Sequence, residues 1–371
     1  MREIIAMQYY GKDRKMKKKI WFNQWFTTAA HFIDMIKYNA DGMEFEVYGT
    51  SNNEHAAYLS YCDAAFIEPD IAGEDYIEFC LRFCKIHRID IFVPRKENVL
   101  IAKNLFKFEQ LGVKVLVCPD APLMEMLDDK EATYKLMQQH SILKTAVNIP
   151  DYIIVNNAES FKEAYTALRK KGHKVCFKPV IGEGGNGFRL VQEQPDSIEE
   201  LFYQGINANI SFDSAYEILK QQAVFPPLMV LEYLEGYEYS IDCLSYDGKL
   251  MAAIPRKKGK GRLRELEDNP VLLKLAKDIN DTLKIPFIYN IQVKYQNGIP
   301  KLLEINPRMS GGLHYSCLAG INMPYRAILL LLQGKKAIKQ FRPHFGVKSS
   351  YLEKEIVLKD NVFQSSKIVH L

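Results

Sequence analysis

The chain lacks a CxxC pair: its seven cysteines (Cys62, Cys80, Cys84, Cys118, Cys176, Cys243 and Cys317) are odd in number and irregular in spacing. That pattern argues against a disulfide framework and fits a reducing cytosol. Cys80 and Cys84 lie four apart in a segment with helical spacing, where one shared helix face accounts for them. A surplus of charge is also missing. The 49 basic and 45 acidic side chains leave a formal charge of +4, which gives no electrostatic footing for a nucleic-acid or membrane partner. Basic residues gather only at Lys12–Lys19 and Arg256–Arg264. The longest apolar run, Ala327–Leu332, is far shorter than the roughly 20 residues of a spanning helix. The basic N-terminal stretch has no apolar segment after it, so it does not read as a signal peptide. No internal repeat or low-complexity tract occurs. What remains is an ordinary soluble composition, 47% hydrophobic and 25% charged, over 371 residues, enough for two or three domains.

Residues 1–18 read as a polar leader. Strand patterns follow at Lys19–Phe22, Phe45–Thr50, Ile89–Pro94 and Val113–Val117, with a short apolar segment at Ala64–Ile67. They alternate with helical spacing at Ala29–Tyr38, Asp75–His87 and Asn98–Leu111. Alternation of this kind predicts a parallel sheet covered on both faces. Ligands on such sheets sit beyond the carboxyl ends of the strands, which places Asn23–Thr28, Ser51–His55 and Arg95–Asn98 at that edge. Near residue 121 the character changes. A polar helix is expected over Ala121–His140, then a strand Val175–Pro179 ending in a glycine-rich loop. A strand pair Leu228–Tyr233 and Tyr239–Ser245 comes next, then a strand Leu250–Ile254 followed by a basic loop with Arg256, Lys257 and Lys258. A helix Val271–Leu283 and a hairpin at 287–306 complete the pattern. Hairpins and long excursions predict an α+β part with antiparallel sheet.

The segment 299–312 places Glu304, Asn306 and Arg308 at alternate positions. Alternate side chains of a strand share a face, so Glu304 and Asn306 point one way while Leu303 and Ile305 point the other. A carboxylate beside an amide oxygen suits a hard cation such as Mg²⁺, and an arginine just beyond suits phosphate or carboxylate oxygens. The plainer account is an edge strand with a solvated polar face. Gln292 lies twelve residues before Glu304, with the turn signal Asn297-Gly298 between them. A two-residue turn would put Gln292 and Glu304 on opposite faces. A three-residue loop, Gln296-Asn297-Gly298, would put them on one. Sharing of a metal by these two residues is therefore expected to need an odd-numbered loop.

The stretch Lys178–Arg189 holds four glycines in six positions, at Gly182, Gly184, Gly185 and Gly187. Glycine lets backbone N–H groups approach phosphate oxygens, and Lys178 at the strand end adds a point charge. The stretch matches neither the Walker A nor the Rossmann dinucleotide pattern. A flexible hairpin loop is the competing account. In Leu231–Glu238, Glu232 and Leu234 share a strand face. Chain leaving a sheet edge there offers backbone groups and Leu234 to an adenine ring, and Glu238 can accept hydrogen bonds from ribose hydroxyls. For each acid a solvated strand end stands as the alternative.

In this order and spacing, these pieces resemble the ATP-grasp superfamily over about residues 121–335. The closest likeness is to the carbamoyl-phosphate-synthase-like group. The Trp21-Phe22-Asn23-Gln24-Trp25-Phe26 opening also resembles ATP-grasp proteins associated with tellurium-resistance operons. The resemblance implies a polar leader (1–18), a Rossmann-like parallel-sheet pre-ATP-grasp domain (19–121) and a two-lobed ATP-grasp domain with antiparallel sheets (122–335, lid about 150–230). Residues 336–371 would form a C-terminal segment. On the matching positions it implies Lys130, Lys178, Gly184, Gly185 and Gly187 at the phosphates, with Glu232, Leu234 and Glu238 along adenine and ribose. Gln292, Glu304 and Asn306 would hold magnesium, and Arg308 would lie at the phosphate side. Many family members carry glutamate where this chain has Gln292, which lowers the charge of the site yet keeps an oxygen donor.

Enzymes of this kind use ATP and two magnesium ions, with manganese able to substitute, to turn a carboxylate into an acylphosphate that an amine or thiol then attacks. The chemistry needs placement and positive charge, and no side-chain nucleophile. Arg308 and Arg256 are the candidate catalytic cations, Arg256 from a basic loop that could close on an anionic substrate, with a solvated charge run as the equal alternative. His314 follows Gly311-Gly312 and could face the substrate, although a lone histidine is more often structural. The expected partners are small carboxylate and amine substrates, with no nucleic acid or membrane; a homodimer is compatible with the resemblance. An ATP-grasp kinase acting on a hydroxyl and a nucleotide-binding regulatory protein without turnover remain alternatives.

Overall fold

The computed structural model describes residues 17–182, 185–194, 197–198, 207–353, 355–358 and 362–364. Nearly all of the polar leader, and Gly184 of the glycine loop, lie outside these residues. The chain divides into two compact units: Met1–Pro119 with Asn322–Ala337 and Glu353–Leu371, and Asp120–Ile321 with Ile338–Leu352.

The first unit is built on a parallel sheet of β1 (Lys18–Asn23), β2 (Phe45–Ser51), β3 (Ala64–Ile67), β4 (Ile91–Val93) and β5 (Lys114–Val115), in the order β3-β2-β1-β4-β5. A last short strand, Val362–Gln364, runs parallel beside β3. The central strands are apolar on both faces because helices cover both. Ile20, Trp21 and Phe22 are all buried, and Trp21 stacks on Phe92 and Phe83 at ring-centroid distances of 4.1 and 4.5 Å. The helix expected over Asn98–Leu111 is interrupted at Asn104, whose side chain donates to the Leu100 carbonyl (3.0 Å), giving helices Asn98–Lys103 and Leu105–Gln110. Local side-chain bonding of this type competes with helical backbone pairing. At the carboxyl edge, Glu68 is buried among Thr50, Gln24 and Tyr76, all of which donate to it. Asn23 bridges Tyr76 and the Arg95 amide at 2.7 and 2.6 Å. That edge is therefore occupied by the chain's own polar side chains.

The second unit opens with two helices rather than one. Asp129 adopts an extended conformation and its carboxylate accepts from the Ala132 N–H (2.9 Å), capping Lys130–Gln139 and ending Ala121–Asp128. The cap places Lys130 at the first helical position. A smaller sheet follows, made of β6 (Tyr152–Val155), β7 (Val175–Pro179), β8 (Arg189–Gln192), β9 (Asn209–Ser211) and β10 (Leu228–Glu232), in the order β6-β10-β7-β8-β9. It is antiparallel except for the parallel pair β8–β9. Phe161, Leu168, Val175, Phe177 and Val230 form its core. The larger sheet contains β11 (Glu238–Tyr246), β12 (Lys249–Lys258), β13 (Arg264–Leu266), β14 (Phe287–Gln296), β15 (Ile299–Asn306) and β16 (Lys348–Ser349), in the order β15-β14-β11-β12-β13-β16, antiparallel throughout.

Three further expectations change. The strands β10 and β11 do not pair with each other; they belong to different sheets. The linker 233–237 carries the chain across, and Gly236 lies so close to Tyr295 that a Cβ would meet its carbonyl oxygen at 2.6 Å. Arg256, Lys257 and Lys258 are not in a loop, because β12 continues through Lys258. Strand pairing survives that run of charge because each cation has an acid: Asp242 for Arg256, Glu267 for Lys257 and Glu238 for Lys258. Finally, the hairpin turn is the tight two-residue kind. Gln296 pairs with Ile299, and Asn297 and Gly298 both take left-handed conformations, φ 51° and 79°.

Candidate nucleotide and metal site

By strand alternation alone, that tight turn would put Gln292 and Glu304 on opposite faces. It does not, because the register shifts between Gln292 and Val293. Val293 faces Leu302 and Gln292 faces Glu304, so Leu303 is an extra residue, a β-bulge. The bulge replaces the odd-numbered loop that the sequence called for. Asn290 pairs with Asn306 two residues on, Ser240 pairs with both Gln292 and Arg256, and Glu238 with both Lys294 and Lys258. One sheet face thus runs Glu238, Ser240, Asp242 on β11, beside Lys294, Gln292, Asn290 on β14 and Glu304, Asn306 on β15. Glu304 and Asn306 are half-buried, and the Asn306 amide nitrogen donates to Glu304 Oε1 at 2.8 Å.

Two lysines flank the start of the glycine loop. The Lys130 ammonium is buried and donates to the carbonyls of Val180 (3.2 Å) and Gly182 (2.8 Å), fastening the start of the glycine loop to its helix. Lys178, on β7, has no hydrogen-bond or ion-pair partner among the described residues. Burial pushes its ammonium down to about 8, the Lys130 charge acts in the same direction, and Glu304 and Glu238 oppose it. A desolvated cation beside a second cation is poised for an anionic ligand. Within the loop, Gly185 and Gly187 have φ of 77° and 75°. A Cβ on Gly187 would come within 2.8 Å of the Pro179 ring, so only glycine fits there.

The linker beyond β10 is distributed differently from its sequence assignment. Glu232 is fully buried: its carboxylate is ion-paired to Lys301 and accepts from the Asp151 N–H at 2.8 Å, with His173 Nδ1 3.6 Å from its other oxygen. That side chain ties the smaller sheet to β15. Leu234 is buried, and its backbone N–H has no protein partner among the described residues. Glu238 is ion-paired with Lys258 and lies partly open to solvent.

Residues 224–355 match the family model described as ATP-grasp in the biosynthetic pathway with Ter operon, and residues 27–116 match the PylC-like N-terminal domain. Over residues 224–355 the chain belongs to an ATP-grasp family. Among curated proteins it is similar to carnosine synthase 1 of Homo sapiens, 24% identical over 175 residues, which are 40% of this chain and 20% of that protein. The Mus musculus protein of the same name is 23% identical over 156 residues, 36% of this chain and 18% of the relative. The match therefore spans about a fifth of the length of these relatives. Among solved structures, an L-amino acid ligase from Bacillus licheniformis superposes with a TM-score of 0.54 at 16% identity, covering 86% of this chain and 75% of that one. An N5-carboxyaminoimidazole ribonucleotide synthetase from Thermus thermophilus superposes at 0.55 with 14% identity, covering 84% and 78%. At such identities the likeness is one of fold: a parallel-sheet N-terminal domain followed by ATP-grasp sheets.

Past Asn306 this sheet face ends in the loop of Arg308. Arg308 is half-buried and its backbone N–H donates to the Asn306 carbonyl (2.8 Å). Arg256 does not project toward solvent; it is buried and paired with Asp242. His314 lies against Tyr315, ring centroids 4.1 Å apart, with Nδ1 buried. Asp242, Asn290, Ser310 and Ser316 were not singled out from the sequence, although Asp242 and Asn290 stand at alternate positions from Ser240 and Gln292. The two-residue period would have found them.

Proposed function

We propose that this ATP-grasp protein is an ATP- and magnesium-dependent ligase that activates a small carboxylate as an acylphosphate and passes the acyl group to an amine or thiol. The observation that carries this is the sheet face on which the Leu303 bulge brings Gln292 opposite Glu304, with Asn306 bonded to Glu304; the charges of Glu304 and Lys130 both act on Lys178. The donors fit magnesium. Gln292, Glu304 and Asn306 offer oxygens from one face, and Asn306 turns its nitrogen to Glu304, which leaves its oxygen as the metal donor. No group of three His, Cys, Asp or Glu side chains suited to a metal occurs among the described residues. One carboxylate with two amides makes a weak site by itself, suited to ions that the ATP phosphates also hold.

In this reading Leu234 presents its N–H and side chain to adenine, and Glu238 accepts from ribose. Lys178 and the Gly185–Gly187 backbone take the phosphates, and Lys130 shapes the loop by holding its carbonyls. The bound magnesium supplies charge neutralisation on the transferring phosphoryl group. Arg308 stabilises the acylphosphate at the end of the face. Nothing here needs a side-chain nucleophile.

An ATP-consumption screen across carboxylate and amine pairs, with mass spectrometry of the product, tests the proposal. The wild type should release ADP with a condensed product, and Glu304→Ala should lose turnover by at least about a hundredfold while remaining folded. Undiminished turnover in Glu304→Ala would remove the metal assignment. The single carboxylate also favours a second reading, a nucleotide-binding regulator, which ATP binding without ADP release across the whole panel would select.

A further inference from the structure

Beneath the Arg308 loop lies a closed polar network that the nucleotide chemistry does not use. Asp242 is wholly buried and its two oxygens accept four hydrogen bonds. Oδ1 takes them from Asn290 Nδ2 (2.8 Å) and Ser310 Oγ (2.7 Å), and Oδ2 from Ser316 Oγ (2.6 Å) and Arg256 Nη2 (3.2 Å). Arg256 also donates from Nε to Ser316 Oγ (3.2 Å) and from Nη2 to Ser310 Oγ (3.4 Å). Each serine hydroxyl therefore donates to the acid and accepts from the base. Gly312 closes the top: a Cβ there would lie 2.6 Å from the Arg256 guanidinium. The network joins β11, β12 and β14 to both ends of the segment 310–316. That segment follows directly on Arg308.

We infer that Asp242 and Arg256 are positioning residues: their buried pair seats the 307–316 loop so that Arg308 meets the reacting carboxylate at the end of the metal face. A buried ion pair is a poor source of net stability, since apolar replacements commonly do as well. A pair that exchanges hydrogen bonds with Ser310 and Ser316, at both ends of one loop, is better explained as fixing that loop's geometry. The proposal rests on the ligase reading for its catalytic consequence and on the network alone for its structural one.

The test uses Asp242→Asn, Arg256→Gln and the charge-neutral double variant, in the full chain. Each single variant strands a buried charge and should lower the melting temperature; the double variant should recover most of that loss. Calorimetric affinity for the magnesium complex of a non-hydrolysable ATP analogue should stay within about twofold of wild type. Hydroxamate formation from the carboxylate that the wild type turns over should fall in kcat by on the order of a hundredfold in the double variant, despite its recovered stability. Amide hydrogen exchange over 307–316 should rise selectively. A double variant with recovered stability and wild-type kcat would overturn the inference. If the wild type makes no hydroxamate from any carboxylate tried, the ligase reading fails. Hydrogen exchange then still decides the loop-seating claim, and unchanged protection over 307–316 would refute it.

Discussion

At Lys178, burial and the neighbouring Lys130 charge act together against a proton that Glu304 favours, and the balance brings the ammonium down to about 8. Two pH effects follow with opposite signs. Between about 8 and the ordinary lysine value the unfolded chain binds a proton that the folded one does not. Stability of the ligand-free protein should therefore rise with pH across that window, and the cost of the charge is fully present below it. Nucleotide affinity should move the other way, because a neutral Lys178 offers phosphate no charge. Calorimetry with an ATP analogue from pH 7 to 9.5 should show affinity falling above about pH 8, by at most about tenfold per pH unit. Lys178→Arg should flatten that fall, since arginine stays charged. An identical slope in the variant would assign the titration elsewhere. Gln292 gives a second residue-level expectation. Gln292→Glu adds a carboxylate opposite Glu304, so Mn²⁺ should bind without nucleotide at least about tenfold more tightly than in wild type, measurable by paramagnetic resonance. Equal affinities would mean that position 292 does not touch the metal.

At the scale of elements, what the sequence leaves open is where a backbone departs from regularity. Strand runs at Phe45–Thr50, Val175–Pro179 and Tyr239–Ser245 are legible because apolar side chains recur with sheet-like spacing, and the strands found are at most one residue longer at either end. The break at Asp129 is harder to read, since an acidic residue inside a polar helix and one capping a new helix look alike until the Ala132 amide is found on its carboxylate. The extension of β12 to Lys258 is hidden for a related reason. Charge runs usually mark loops, and only the cross-strand acids Asp242, Glu238 and the nearby Glu267 reveal this one as strand. The Leu303 bulge is the sharpest case. Strand alternation correctly identified Glu304 and Asn306 as neighbours, and Asn297-Gly298 correctly marked a hairpin, yet the face shared with Gln292 depends on one unpaired residue whose leucine identity signals nothing. Deleting Leu303 should restore a regular ladder after the same turn and turn Glu304 and Asn306 away from Gln292. Such a deletion should abolish ATP turnover while far-ultraviolet circular dichroism still reports a folded chain. Retained turnover would show that the bulge is dispensable.

For the molecule as a whole, each unit carries its own logic. The first is a doubly covered parallel sheet, and its carboxyl edge, where the sequence placed a ligand, is filled by Asn23, Glu68 and Tyr76 bonded to one another. The second holds the candidate site entirely within itself: lysines from the first helix pair and the smaller sheet, acid and amides from the larger sheet, and the Arg308 loop seated on Asp242. The most direct measurement is a hydroxylamine trap. Purified protein, ATP and magnesium are incubated with a panel of amino-acid and other small carboxylates, and hydroxamate and ADP are quantified together. The expected result is hydroxamate in step with ADP for at least one carboxylate, lost in Glu304→Ala. ADP release accompanied by a hydroxylamine-stable phosphate ester, with no hydroxamate, would contradict the acylphosphate account.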